Sequence, residues 1–213
     1  NLKKEKFKNK LQLEKKYKIK FGTENFLITI HPETIDNRKT NTNLKKIFKS
    51  ISNKKFEKFT FIFTSSNNDE GGGKINNKIK KFVNNQKNSY FVNSFGQTDY
   101  FSMLKNISGV IGNSSSGVIE VPTFKIGTIN LGDRQKGRIF ARSVINCDFQ
   151  TNEIKKNILK IINKRFKIKL KNLVNPYHKN NTLENIKRIL IKINLKNILF
   201  KSFRGSKWNY IQH

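Results

Sequence analysis

Cysteine is almost absent from this sequence: Cys147 is the only one in 213 residues. That excludes a disulfide-built scaffold and a zinc site made of several thiolates. Acidic residues are scarce too, with 14 Asp and Glu against 44 Lys and Arg, a formal net charge of +30. Long apolar runs are missing. No stretch approaches the roughly 18 residues that span a bilayer. Residues 1–20 are charged and lack the apolar segment of a signal peptide, so the expected location is the cytoplasm. Alanine occurs once, at Ala141, and methionine once, at Met103. Without an initiating methionine, the chain is expected to start inside a longer reading frame or after processing.

Charge of this sign ordinarily suggests phosphate-rich partners such as nucleic acid. Here the excess is nearly all Lys, spread evenly, and Asn, Ile and Phe are abundant with it. AT-rich codons favour those residues, so the charge reads as solvated helix faces rather than a nucleic-acid footprint. Phe59, Phe61 and Phe63 alternate within an apolar run, a core pattern rather than a base-stacking platform. A basic nucleic-acid-binding module remains the competing reading, marked by a steep loss of affinity with salt.

Six short apolar runs predict strands: Phe26–Ile30, Phe59–Thr64, Ser89–Val92, Gly109–Ile111, Gly127–Leu131 and Ser143–Cys147. Several are apolar on both faces, as parallel strands covered by helices require. Four stripes have helical spacing. They are Leu44, Ile47, Phe48, Ile51; Ile75, Ile79, Phe82, Val83; Ile154, Ile158, Ile161, Ile162; and Leu183, Ile186, Ile189, Leu190, Ile193. All four are expected to pack as core. The alternation predicts an α/β fold, a Rossmann-like parallel sheet of about six strands with helices on both faces.

Ligands of such sheets bind at the carboxyl ends of the strands. Four loops there are polar. Ile30-His31-Pro32-Glu33-Thr34 offers a His at a strand end. Thr64 to Gly73 runs through Asn67, Asp69 and Glu70 into three glycines. Gly112-Asn113-Ser114-Ser115-Ser116-Gly117-Val118-Ile119-Glu120 sets three hydroxyls and free amides before a short helix broken near Pro122, with Glu120 about one turn in. Such a turn can hold an anion, and Glu120 can accept from a pair of sugar hydroxyls. It reads equally as an ordinary helix start capped by Ser116. Gly132 to Arg138 places Arg134 where bidentate contact with phosphate is natural. Together the loops propose a pocket for a diphosphate bearing a sugar hydroxyl pair. A P-loop, a paired metal-ligand spacing and a G-x-S-x-G elbow are all lacking, and neither metal nor cofactor is expected.

The run Gly112 to Phe124, followed by Thr128 to Arg138, resembles the UDP-N-acetylglucosamine 2-epimerase family, and its hydrolysing branch most. Thr29-Ile30-His31-Pro32-Glu33-Thr34 and Asn175-Pro176-Tyr177 fit the same family in the same order, so the resemblance covers roughly residues 10–195. It implies the C-terminal, nucleotide-binding half of a two-lobed glycosyltransferase-B-like fold, with the N-terminal lobe outside this sequence. It also implies an interlobe linker or hinge at 1–20 and a nucleotide-binding lobe at 21–178. A helix at 179–200 would pack towards the other lobe, and 201–213 would be a tail. The chain's own pattern also allows 1–20 to be a helix packing on something absent.

By the resemblance, His31 is catalytic, donating to the phosphates as UDP departs. Ser114, Ser115, Ser116, Gly117 and Arg134 hold the diphosphate, and Glu120 binds the ribose hydroxyls. Asn67 joins the UDP site, Asp69 lies on the sugar side, and Phe95 neighbours the uracil. The implied partners are a UDP-sugar and the other lobe, and a homodimer is compatible with the family. The implied reaction eliminates UDP and then adds water, giving a free 2-epimerised sugar for sialic-acid-like products. The non-hydrolysing branch, or another sugar-nucleotide enzyme of this fold, is the alternative. The carboxylates that move the C2 proton belong largely to the other lobe, and Glu33 and Glu70 are not assigned that role.

Overall fold

The computed structural model describes residues 6–32, 37–67 and 71–193. Its strands are β1 (Asn25–Thr29), β2 (Thr60–Thr64), β3 (Ser89–Val92), β4 (Gly109–Gly112), β5 (Gly127–Leu131) and β6 (Val144–Cys147). They form one sheet in the order β3-β2-β1-β4-β5-β6, and every pairing is parallel. All six predicted strands are present, within a residue at each end. The helices are α1 (Lys10–Tyr17), α2 (Asn37–Ile51), α3 (Gly72–Asn84), α4 (Gly96–Asn106), α5 (Ser116–Ile119), α6 (Thr151–Ile162), α7 (Lys164–Lys169) and α8 (Thr182–Lys192).

Both faces of the sheet are buried, which is why its strands read as continuous apolar runs. Side chains alternate across a strand. Phe26, Ile28, Phe61, Phe63, Ile111 and Ile129 therefore share one cluster with Leu44, Ile47 and Ile51 of α2, Ile75 and Ile79 of α3, and Ile154, Ile158 and Ile161 of α6. Leu27, Ile62 and Val110 point the other way, into a cluster with Leu13 of α1 and Met103 and Leu104 of α4. Each fully buried residue of this kind contributes about 1.5–3 kcal/mol.

The hinge segment expected over 1–20 holds a docked helix. Leu13 is fully buried against the α4 side of the sheet. Asp99, in the first turn of α4 and only 3% exposed, draws the segment in. Its carboxylate accepts from the ammoniums of Lys8 and Lys16 and from the Tyr17 hydroxyl. Two cations and a hydroxyl around one buried carboxylate are what pins this segment to α4.

The chain divides after His178 into two units. In the second, α8 carries the fourth apolar stripe, but Leu183, Ile186, Ile189 and Leu190 are exposed. That departs from the expectation of core packing: among the described residues of its unit, this helix of 11 residues has no second element to bury a face against. Among the described residues, no helix is long and apolar enough to cross a membrane.

Asp99 yields a testable consequence. Burial raises its carboxyl pKa, but the bonds from Lys16, Lys8 and Tyr17 outweigh that and bring it down to about 2. A depressed carboxylate stabilises the fold above its unfolded value, and the gain is lost as pH falls through the folded value. Asp99→Ala is expected to cost about 2 kcal/mol in urea unfolding at neutral pH. The difference from the parent chain should shrink between about pH 4 and pH 2.

Candidate functional site

Strand order reverses between β1 and β4, and the crevice outside a parallel sheet opens at such a point. The residues that follow these two strands are His31 and Asn113. Gly112 makes their approach feasible. Its φ is +141°, and a Cβ there would stand 1.9 Å from the Thr29 carbonyl oxygen.

Asn113 is fully buried and joins three loops. Its Oδ1 accepts from the His31 main-chain N–H at 2.8 Å. Its Nδ2 donates to the His31 carbonyl at 2.9 Å. Its own N–H donates to the Thr29 carbonyl at 3.2 Å. From the loop after β5, Gln135 Nε2 donates to the Asn113 carbonyl at 2.8 Å, and an Arg134 guanidinium N–H donates to it at 3.3 Å. The side-chain amide thus fixes the backbone of His31, and the Asn113 main-chain carbonyl orients Arg134, an exposed residue.

The hydroxyl turn follows directly. Ser114, Ser115 and Ser116 are half-buried, and α5 starts at Ser116. The capping position is Ser115 rather than Ser116 and makes no side-chain cap, while the Ser114 hydroxyl accepts from the Ser116 N–H at 3.4 Å. The Ser116 hydroxyl instead pairs with the Tyr100 hydroxyl from α4. Gly117 is buried against β5, where the Thr128 hydroxyl donates to its carbonyl at 2.8 Å. Its small size serves this packing. Glu120 ends α5, and its Oε2 is buried without a hydrogen-bond partner. A buried carboxylate oxygen in that state is costly and suits an incoming donor such as a hydroxyl. Burial, followed by the nearby Glu120 charge, pushes the Tyr100 phenol up to about 12 despite the opposing Ser116 bond. Tyr100 is therefore a neutral group at any physiological pH.

The loop after β2 reaches the same place. Asn67 donates its main-chain N–H to His31 Nδ1 at 3.0 Å. At the far end, Asn175 Nδ2 donates to the Ile119 carbonyl and the Thr123 hydroxyl, both at 2.7 Å. This bond staples the Asn-Pro-Tyr segment beneath Glu120.

His31, Asn67, Ser114, Ser115, Ser116, Glu120 and Arg134 thus come from loops at one end of the sheet. Phe95 does not join them as an open ring. It is 7% exposed and packs edge-on against Tyr17 at 4.6 Å in the α4-side cluster. Asp69, Glu70 and Glu33 lie outside the described residues. Sequence reasoning missed Tyr100 and Gln135. Tyr100 sits in a helix without a clear apolar stripe, and Gln135 in a run that reads as solvated. Among the described residues, no group of three or more His, Cys, Asp or Glu could hold a metal ion.

The family model described as UDP-N-acetylglucosamine 2-epimerase matches residues 1–191. Polysialic acid biosynthesis protein P7 of Escherichia coli is 39% identical over 201 residues, 92% of this chain and 49% of that protein. The hydrolysing GDP/UDP-N,N'-diacetylbacillosamine 2-epimerase of Campylobacter jejuni is 39% identical over 164 residues, 76% of this chain and 41% of that one. A solved structure of the Methanocaldococcus jannaschii UDP-GlcNAc 2-epimerase, in complex with UDP-GlcNAc and UDP, matches with a TM-score of 0.62 at 20% identity. It covers 86% of this chain and 49% of that chain. This likeness shows a shared fold, one Rossmann-like half of a glycosyltransferase-B-like architecture. The chain spans about half the length of the curated relatives it matches.

Asn113→Ala removes both side-chain bonds to the half-buried His31 backbone and leaves its N–H and C=O without those partners. The expected loss in unfolding free energy is about 2–4 kcal/mol by denaturant titration. A cost below about 0.5 kcal/mol would mean that the loops hold themselves.

Proposed function

Since the chain belongs to the UDP-N-acetylglucosamine 2-epimerase family, we propose that it is the UDP-binding half of a hydrolysing sugar-nucleotide 2-epimerase. The observation that carries this is the gathering of His31 and Arg134 around Asn113 at the β1/β4 crevice, with Ser114, Ser115 and the α5 turn ending at Glu120 running on from it. Glu120 accepts from the two ribose hydroxyls through its buried, unpartnered Oε2. The Ser114–Ser116 turn donates to the diphosphate through hydroxyls and main-chain amides. Arg134 adds a charged, bidentate donor. Tyr100, hydroxyl-bonded to Ser116, closes the nucleoside side in the place first given to Phe95. Asp69 serves the sugar side.

The proposed reaction begins when a base takes the proton from C2 of the sugar. The C2–H electrons form the C1–C2 double bond, and the C1–O bond breaks towards UDP, which leaves with that pair. Water then adds across the double bond, OH to C1 and H to C2, with inverted configuration at C2. The products are UDP and a free amino sugar. This half supplies donors fixed in advance where negative charge grows on the leaving diphosphate. His31 is one of them. The base comes from the other half, and the exposed apolar stripe of α8 is read as packing there too. The hydrolysing and polysialic-acid names of the relatives support a free-sugar product used for acidic sugars.

Isothermal calorimetry tests the site directly. The 213-residue chain is expected to bind UDP weakly and to turn nothing over alone. Glu120→Ala with Arg134→Ala should weaken binding by at least about tenfold, or about 1.4 kcal/mol. Unchanged binding in that double variant would reject the assignment. With the full-length enzyme, a nucleotide-bound product in place of free sugar would reject the hydrolysing outcome.

A further inference from the structure

A neutral imidazole has one protonated nitrogen and one acceptor nitrogen, and the partner of one fixes the state of the other. At His31 the partner of Nδ1 is unambiguous in kind. The main-chain N–H of Asn67 points at it from 3.0 Å, and a peptide N–H can only donate. Nδ1 is therefore the acceptor, and the proton sits on Nε2.

That donor is itself held in place. The neighbouring Ser66 is 5% exposed, and its main-chain N–H donates to the Asn76 side-chain oxygen, from α3, at 2.8 Å. The Asn67 carbonyl lies so close to α3 that a Cβ on Gly72 would stand 2.1 Å from its oxygen. From the opposite side, Asn113 grips the His31 backbone through its N–H and C=O. Ring and backbone are thus fixed independently, by the β2 loop and the β4 loop.

We propose that Asn67, through its main chain, with Asn76 and Gly72 behind it, positions His31 as the Nε2–H tautomer. Resting on the reading that His31 faces the sugar nucleotide, this gives the residue a direction of action. Nε2 presents a hydrogen to the leaving diphosphate and has no lone pair for the C2 proton. His31 is then a donor to the leaving group, and the C2 base is another residue. Asn76 and Gly72 are positioning residues that act through the loop.

The test is spectroscopic and needs no turnover. In the chain labelled with 15N, a through-hydrogen-bond coupling is expected between the Asn67 amide nitrogen and His31 Nδ1. The His31 proton should appear on Nε2, with His31→Gln assigning the signals. Asn76→Ala should abolish the coupling, and Asn76→Asp, which keeps an acceptor, should restore it. Gly72→Ala is a second route to the same loss. A proton on Nδ1, or a coupling that survives Asn76→Ala in a folded chain, would overturn the proposal. Titrating UDP into the same sample separates the two readings. If UDP leaves the His31 signals unmoved while the coupling persists, the nucleotide reading fails and the tautomer lock stands.

Discussion

One buried residue, Asn113, organises this end of the molecule. Its side-chain amide bonds both main-chain groups of His31, while its own main-chain N–H and C=O bond the Thr29 carbonyl and two donors from the loop after β5. A buried amide is costly unless its hydrogen-bonding capacity is met. Here the groups that meet it belong to separate loops, so satisfying Asn113 draws those loops together. Breaking the contact leaves the main-chain polar groups of His31 without these partners. The site is thereby tied to the stability of the sheet.

The sheet dictates where this happens. Parallel strands paired in the order 3-2-1-4-5-6 turn their carboxyl ends the same way and leave a crevice where the order reverses. Gly112 permits the contact of β4 with β1 that a side chain would forbid. From this frame come a fixed imidazole, a hydroxyl turn, a buried carboxylate oxygen and an exposed guanidinium. The large positive charge plays little part in it. The nearest cation bonded to the hub is Arg134, while most lysines lie on solvated helix faces.

The strands were legible because burial on both faces leaves an unmistakable apolar run. Three of the four helical stripes were equally plain, since α2, α3 and α6 cover one face of the sheet. Helix α4 was not legible. Its buried residues include Asp99 and Ser102 beside Met103 and Leu104, so it has no clean apolar stripe. The role of α1 was hidden for the same reason, since its anchor is a carboxylate more than eighty residues away. In the site, the residue types and their loops could be read from the order of strands and polar turns. The partnerships could not. Gln135 with Asn113, and Tyr100 with Ser116, are contacts between loops and helices that only the folded sheet brings near. The sequence likewise did not show that the Phe95 ring, expected beside the uracil, packs into the α4-side cluster.

The central claim is that Asn113 holds the β1, β4 and β5 loops as one unit, and native-state hydrogen exchange tests it most directly. The His31 amide donates to Asn113 Oδ1, and the Asn113 amide to Thr29. If the hub governs the loops, both amides exchange only through the same opening, with protection close to that of the β1 and β4 core. A His31 amide that exchanges freely while Asn113 stays protected would show that the loop after β1 opens independently, and would contradict the account.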